Sequence, residues 1–347
     1  MWHLRVRVIS LLDAVGALEA AMIARKYVRL PFLPIVTYHR LGDPDRDARY
    51  LDESVVDATK EGFERQVELM MRRFTLLSVE DLRQFFFEKK PLPKNPALIT
   101  FDDGYKACHD IALPVLKRAG ARAVFFISTG HMSDRKTFWW DRANYLIKKS
   151  KKNRIEIDYP KHKVYDLAKN RNDAITDILD TIKLTFGLDV ERYLEVLGKA
   201  LDVPWGPEQE KEITDEVLMT WDQVRTLSKE GMDVESHTHT HRVLTTLAES
   251  ELKDELVGSK NLLEEQLDQP IRALAYPVSL SIAKHNHILD AVKEAGYDLG
   301  FSTSCGLGPL GPKTHPLDIQ RFWVDPTLPH SYFRAALAMP QLTYRRR

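Results

Sequence analysis

The feature that most constrains this chain is a rhythm of short, apolar, β-rich runs separated by stretches with helical spacing. Residues 97–101 form one such run and deliver Asp102 and Asp103 to its carboxyl end. A helical stretch through Ala112, Val115 and Leu116 stops near Gly120, and a second run follows at 123–127. Strand, helix, strand in that order predicts parallel pairing, since the crossover lets the second strand run in the same direction. Runs at 33–38, 232–235, 271–276 and 299–302 keep the rhythm. In a parallel β/α barrel the carboxyl ends of the strands gather at one face, so residues far apart in sequence can share a site there.

Two segments break the pattern. Between 137 and 215 the chain turns lysine-rich and then mostly helical, which reads as an insertion into the repeating unit. The first 30 residues hold an apolar pattern interrupted by Asp13 and Glu19 and flanked by Arg5, Arg7, Arg25, Lys26 and Arg29. A spanning helix takes about 20 mostly apolar residues, and a secretory signal takes an uninterrupted apolar core. The expectation is an amphipathic helix, packed on the domain or lying at an anionic membrane surface, in a cytoplasmic protein. The end, 331–347, reads as a C-terminal tail, with Arg345-Arg346-Arg347 solvated.

Composition narrows the function classes. The 347 residues suffice for one barrel-sized domain with an insertion. Fifty basic and fifty acidic residues balance to zero, so no global field favours nucleic acid as a partner. Two cysteines, Cys108 and Cys305, stand in unrelated contexts and suggest no disulfide framework.

The chemistry concentrates in Phe101-Asp102-Asp103-Gly104-Tyr105 and His237-Thr238-His239-Thr240-His241, each just after an expected strand. One carboxylate and two histidines leave positions open on a divalent ion, and the remaining carboxylate is free to act as a base. That division of labour suits hydrolysis of an amide or ester. The spacing leaves His239 open: in an extended strand it shares a face with His237 and His241, whereas in a helical turn it points elsewhere.

The segments Thr100-Phe101-Asp102-Asp103-Gly104-Tyr105 and His237-Thr238-His239-Thr240-His241 resemble the first two motifs of the polysaccharide deacetylase family, also called the NodB-homology or carbohydrate esterase 4 family. The likeness extends to Val36-Thr37-Tyr38-His39-Arg40, Ser259-Lys260, Ala275-Tyr276-Pro277, Ala295-Gly296-Tyr297 and Arg321-Phe322-Trp323-Val324. It implies a distorted (β/α) barrel of about seven parallel strands, formed by 31–136 and 216–330, with 137–215 inserted. It also implies removal of N-acetyl groups from amino sugars of a polysaccharide or glycoconjugate. Asp103, His237 and His241 would hold a divalent ion, usually zinc, with Co2+, Ni2+, Mn2+ or Fe2+ as other candidates. Asp102 would be the base toward the metal-bound water, with the backbone N–H of Tyr105 at the oxyanion and Thr238 orienting the site. Tyr276 and Pro277 would line the substrate groove.

Two histidines compete for the acid that protonates the departing amine: His39, at the end of the first run, and His330, in Leu328-Pro329-His330. The strand-end position favours His39. This chain also departs from the family pattern at Ala275, where an arginine is usual, and at Val278-Ser279, where Tyr-Gly is usual. Arg321 is the candidate to supply the missing charge to Asp102. Trp139 and Trp140 fit either a sugar-stacking platform or a packing anchor for the insertion. Two rival readings remain: a glycan-binding relative without turnover, and a peripheral component of polysaccharide assembly. Retention of Asp102 speaks against the first, because a binder has no need of the base.

Overall fold

The computed structural model describes residues 2–25, 27, 32–47, 50–278, 281–303 and 314–343. Its centre is a ring of seven parallel strands: β1 (Ile35–Tyr38), β2 (Pro96–Phe101), β3 (Val124–Ile127), β4 (Asp233–Ser236), β5 (Ala273–Ala275), β6 (Leu299–Thr303) and β7 (Ile319–Trp323). Each strand pairs with the next in sequence, and β7 closes on β1 through Val36 opposite Phe322. The chain is therefore a closed, distorted (β/α) barrel. The expected runs fall on β1 to β6 within about two residues at either end, the ordinary uncertainty of strand boundaries.

Alternation along the strands divides the core in two. Ile35, Leu98, Val124, Phe126, Ala273, Leu299, Phe301 and Ile319 fill one buried cluster, joined by Val79 and Leu82 from the helix Val79–Phe87 and by Leu77 just before it. Val36, Ile99, Phe125, Val234 and Leu274 belong to the larger cluster shared with the surrounding helices. Stepping two residues on from Leu98 gives Thr100 and then Asp102, and stepping on from Ile319 gives Arg321. All three are buried, so one face of the barrel runs from an apolar floor to a charged mouth.

The segment 137–215 holds the helix α3 (Trp139–Lys149), an antiparallel hairpin of Arg154–Ile157 with Lys163–Asp166, and the helices Arg171–Leu184, Val190–Leu201 and Pro207–Val217. Asp141 in the first turn of α3 and Lys148 and Lys149 in its last complement the helix dipole.

The amino-terminal stretch forms two helices, α1 (Trp2–Ala14) and α2 (Ala17–Ala24), turned at Gly16, whose φ of 77° suits glycine. Both pack on α4 (His330–Ala338), so 331–338 belong to the fold, which corrects the expectation of a tail from 331. Phe333, Ala335, Ala336, Leu337 and Ala338 are buried there, and Arg334 pairs with Asp13 and Glu19 at 2.7 and 2.9 Å. The Arg345-Arg346-Arg347 end lies outside the described residues. No helix among those residues is long and apolar enough to cross a membrane.

Candidate metal centre and active site

The end of β2 separates two neighbouring acids by a backbone reversal. Asp102 continues the strand direction, its N–H donating to the Tyr38 carbonyl at 2.8 Å. Asp103 then takes φ 74°, a left-handed conformation that costs a non-glycine residue of order 1–3 kcal/mol and persists only where its surroundings impose it. Thr238, His241 and Val278 share that conformation, at φ 64°, 55° and 55°. Backbone strain is thus concentrated around the strand ends β2, β4 and β5.

The reversal at Asp103 brings its Oδ1 to 3.4 Å from His237 Nε2 and 3.3 Å from His241 Nε2, all three side chains being buried. Asp103 Oδ1 nevertheless has no hydrogen-bond partner. His237 Nδ1 lies 2.8 Å from the Ala275 carbonyl, which as acceptor fixes an N–H on that nitrogen and turns Nε2 toward Asp103. Burial, against the pull of Asp103, pushes the His241 imidazole down to about 4, so it is neutral at ordinary pH. Burial alone would raise Asp103, but the two imidazoles hold it well below the usual carboxylate range. An ionised carboxylate and two imidazoles whose Nε2 atoms face it, with ligand atoms within 4.8 Å of one another, are a donor set suited to a divalent transition ion. An orphaned, buried carboxylate oxygen at their centre fits that reading.

Asp102 is held apart from this cluster. Arg321 donates to it through both terminal nitrogens, at 2.7 Å each, and also to Thr100 Oγ1 at 3.2 Å. The pair is fully buried, and Arg321 lies over the Phe126 ring. Burial raises the Asp102 carboxyl, yet Arg321 above all, with help from His237 and His39, brings it below its ordinary value. The arginine absent at Ala275 is thus replaced from β7, two strands further round the barrel.

His39 ends β1 about a quarter exposed, while Asp57 beneath it is fully buried. Its Nδ1 sits 3.1 Å from Asp57 Oδ2, which also accepts the His39 backbone N–H, and Trp323 Nε1 donates to Asp57 Oδ1 at 2.6 Å. Burial works against the imidazolium, but Asp57 first, then Asp103 and Asp102, push His39 up to about 10. His330 opens α4 instead, beside Phe333, and the charges that act on it are Arg334, Arg65 and Asp13. The structure brings His39, and not His330, into the field of the two active-site acids.

The remaining expectations divide. His239 turns away: its Nδ1 meets Thr129 Oγ1 at 2.9 Å, and its ring lies against Gly130. Thr238 Oγ1 is buried without a hydrogen-bond partner, so it orients nothing through its hydroxyl. That task falls to Glu255, which accepts the N–H groups of His239 and Thr240 at 2.9 and 2.8 Å and the Thr240 hydroxyl. Tyr276 faces the core, its hydroxyl donating to the Leu317 carbonyl at 2.7 Å and crowding Gly300, where a Cβ would lie 2.0 Å from that oxygen. Its side chain is a packing group, which corrects its expected place in the substrate groove. Pro277 is buried beside it and Val278 half-buried, while Ser279 lies outside the described residues.

Trp139 and Trp140 are buried and wrap a metal-ligand candidate rather than a sugar. Trp140 lies 4.4 Å from the His241 ring and donates to the Tyr105 hydroxyl at 2.8 Å; Trp139 donates to the His241 carbonyl at 3.2 Å. The Tyr105 phenol in turn donates to Asp141 at 2.8 Å, leaving only its backbone to face a substrate. Burial, partly offset by Arg40 and the Asp52 N–H, pushes Asp141 up to about 7. The insertion therefore supplies part of the wall behind the site. Asp57, Asp141 and Glu255 escaped the sequence reading because isolated acids carry no local pattern; their partners are distant in sequence.

The model of the polysaccharide deacetylase family matches residues 89–181 and 205–300, more than half the chain, and this protein belongs to that family. Among curated relatives it is 27% identical over 117 residues to "Putative polysaccharide deacetylase YxkH" of Bacillus subtilis (strain 168), a match covering 34% of this chain and 40% of that one. Among solved structures it resembles the Streptococcus pyogenes deacetylase PplD in complex with acetate, with a TM-score of 0.56, 17% identity, and 91% of this chain and 99% of that one covered. IcaB from Ammonifex degensii gives 0.52 at 16% identity, over 88% and 96% of the two chains. At such identities these structures speak to the fold, which they share.

Proposed function

We propose that this protein is a metal-dependent de-N-acetylase acting on N-acetylated amino sugars of a polysaccharide or glycoconjugate. One observation carries the reading: Asp103, His237 and His241 converge on a buried, unsatisfied carboxylate oxygen, while the adjacent Asp102 is kept out of that cluster by Arg321. A divalent ion held by the three ligands supplies a Lewis acid and lowers the pKa of bound water.

The chain's own groups account for the proton movements. Asp102, ionised and oriented, accepts a proton from the attacking water as the new C–O bond forms. The Tyr105 backbone N–H stands where negative charge develops on the acetyl oxygen. His39, protonated below about 10, donates to the amide nitrogen as the C–N bond breaks, giving acetate and the free amine. Arg321 costs Asp102 some basicity but fixes its two oxygens, and preorganisation is what a base in a dry site needs.

Acetate release from a panel of N-acetylated glycans by protein reconstituted with Zn2+, Co2+, Ni2+, Mn2+ or Fe2+ tests the assignment. Release that depends on metal and is abolished by His237→Ala is the expected result. Binding of glycans with no acetate released under any metal would leave the glycan-binding alternative instead.

A further inference from the structure

Half of the large apolar side chains that stand exposed among the described residues fall between Leu4 and Tyr27. Four of them make one stripe: Leu4, Val8 and Leu11 on α1, and Val15 just past its end, are 66, 43, 63 and 68% exposed. Their spacing of 4, 3 and 4 residues keeps them on one side of the helix, along about 16 Å of its length. Ile23 and Tyr27 extend the exposed apolar surface beyond Gly16. The other side of α1 is apolar too, with Ile9 buried in the core. This helix thus has one apolar face occupied and one left over.

The charges are sorted by face. The only acids in the first 30 residues, Asp13 and Glu19, are drawn inward: Asp13 pairs with Arg334, and Glu19 with Arg334 and Arg73. Among the basic residues, Arg25 is buried and bonded to Asn95, whereas Arg5 and Arg7 are exposed on either flank of the stripe. What remains outward is apolar surface bordered by cations, the arrangement of helices that lie in a bilayer interface beside anionic headgroups. At 13 residues α1 reaches about 20 Å, short of the ~30 Å hydrocarbon core, so it suits lying flat rather than spanning.

We propose that the outward face of α1 docks on the surface of an anionic lipid bilayer. A second copy of the chain is the competing occupant. A two-fold pairing of the stripe sets the arginine flanks of one copy near those of the other, whereas anionic lipid neutralises them. The inference stands independently of the deacetylase assignment, because no active-site residue takes part.

The test is flotation of the full chain with vesicles of phosphatidylcholine alone and of phosphatidylcholine mixed with phosphatidylglycerol, at low and high salt. The expected result is binding to the anionic vesicles that weakens with salt. Leu4→Ser/Leu11→Ser/Val15→Ser should lower the partition coefficient at least about tenfold, with circular dichroism unchanged because these side chains stand mostly in solvent. Arg7→Glu should weaken binding and flatten its salt dependence. The proposal is overturned by absence of binding, by equal binding of the triple variant, or by light scattering that shows a vesicle-free dimer which the triple variant disperses.

Discussion

At the residue scale, the site rests on giving two adjacent carboxylates different neighbours. Asp102→Asn removes the proton acceptor but keeps the ligands, so metal content should stay intact while turnover falls about 10²–10⁴-fold; acetate release and metal analysis on the same preparation decide it. Arg321→Leu leaves Asp102 buried without its counter-charge, and chemical denaturation should show a loss of about 3–5 kcal/mol. In the proposed reaction the His39–Asp57 pair sets the alkaline limit. His39 must be protonated to act, and Asp57 is the largest influence holding that proton on. Asp57→Asn should therefore move the alkaline limb of the kcat/KM profile to lower pH by about 1–3 pH units. The same linkage bears on stability: a raised imidazole contributes fully below its unfolded value of 6.5, and that contribution is lost as pH rises toward about 10.

At the scale of elements, strand ends carry the reactive groups while neighbouring segments hold their backbones in place. Glu255, on the turn leading into the helix Ser259–Leu267, gathers two N–H groups of the segment between His237 and His241. Glu255→Gln keeps the shape but weakens those bonds, and metal affinity measured by chelator competition should fall about 10–100-fold. What the sequence made legible follows from the same division. Asp102 and Asp103 could be read because they follow a compact apolar run, and His237 and His241 because their four-residue spacing follows an expected strand, both patterns of local residues. Arg321 could be read as a partner for Asp102 only through the gap at Ala275. Asp57, Asp141 and Glu255 could not, since nothing near them in sequence reports that the fold brings His39, Tyr105 and His239 to their side. The helix α4 was missed for another reason: Pro326 and Pro329 precede it, and its buried face is largely alanine, a weak apolar signal. Tyr276 was misplaced because adjacency in a strand says nothing of which face its side chain takes.

At the scale of the whole molecule, the ligands come from β2 and β4 and the insertion leans on one of them through Trp139 and Trp140, so ion binding should stabilise the assembled barrel. Thermal unfolding with metal at 100 times its dissociation constant should gain about 2.7 kcal/mol, reversed by chelator. The barrel's closure has a consequence of its own. Asp103, His237 and His241 are all synthesised by residue 241, but Asp102 receives its arginine only from β7, the strand that seals the ring against β1. As the chain leaves the ribosome, the three proposed ligands are complete some eighty residues (321 − 241 = 80) before Asp102 gains its partner. Sealing the barrel and neutralising the buried Asp102 are one event, so the three proposed ligands are in the chain well before it is able to fold shut.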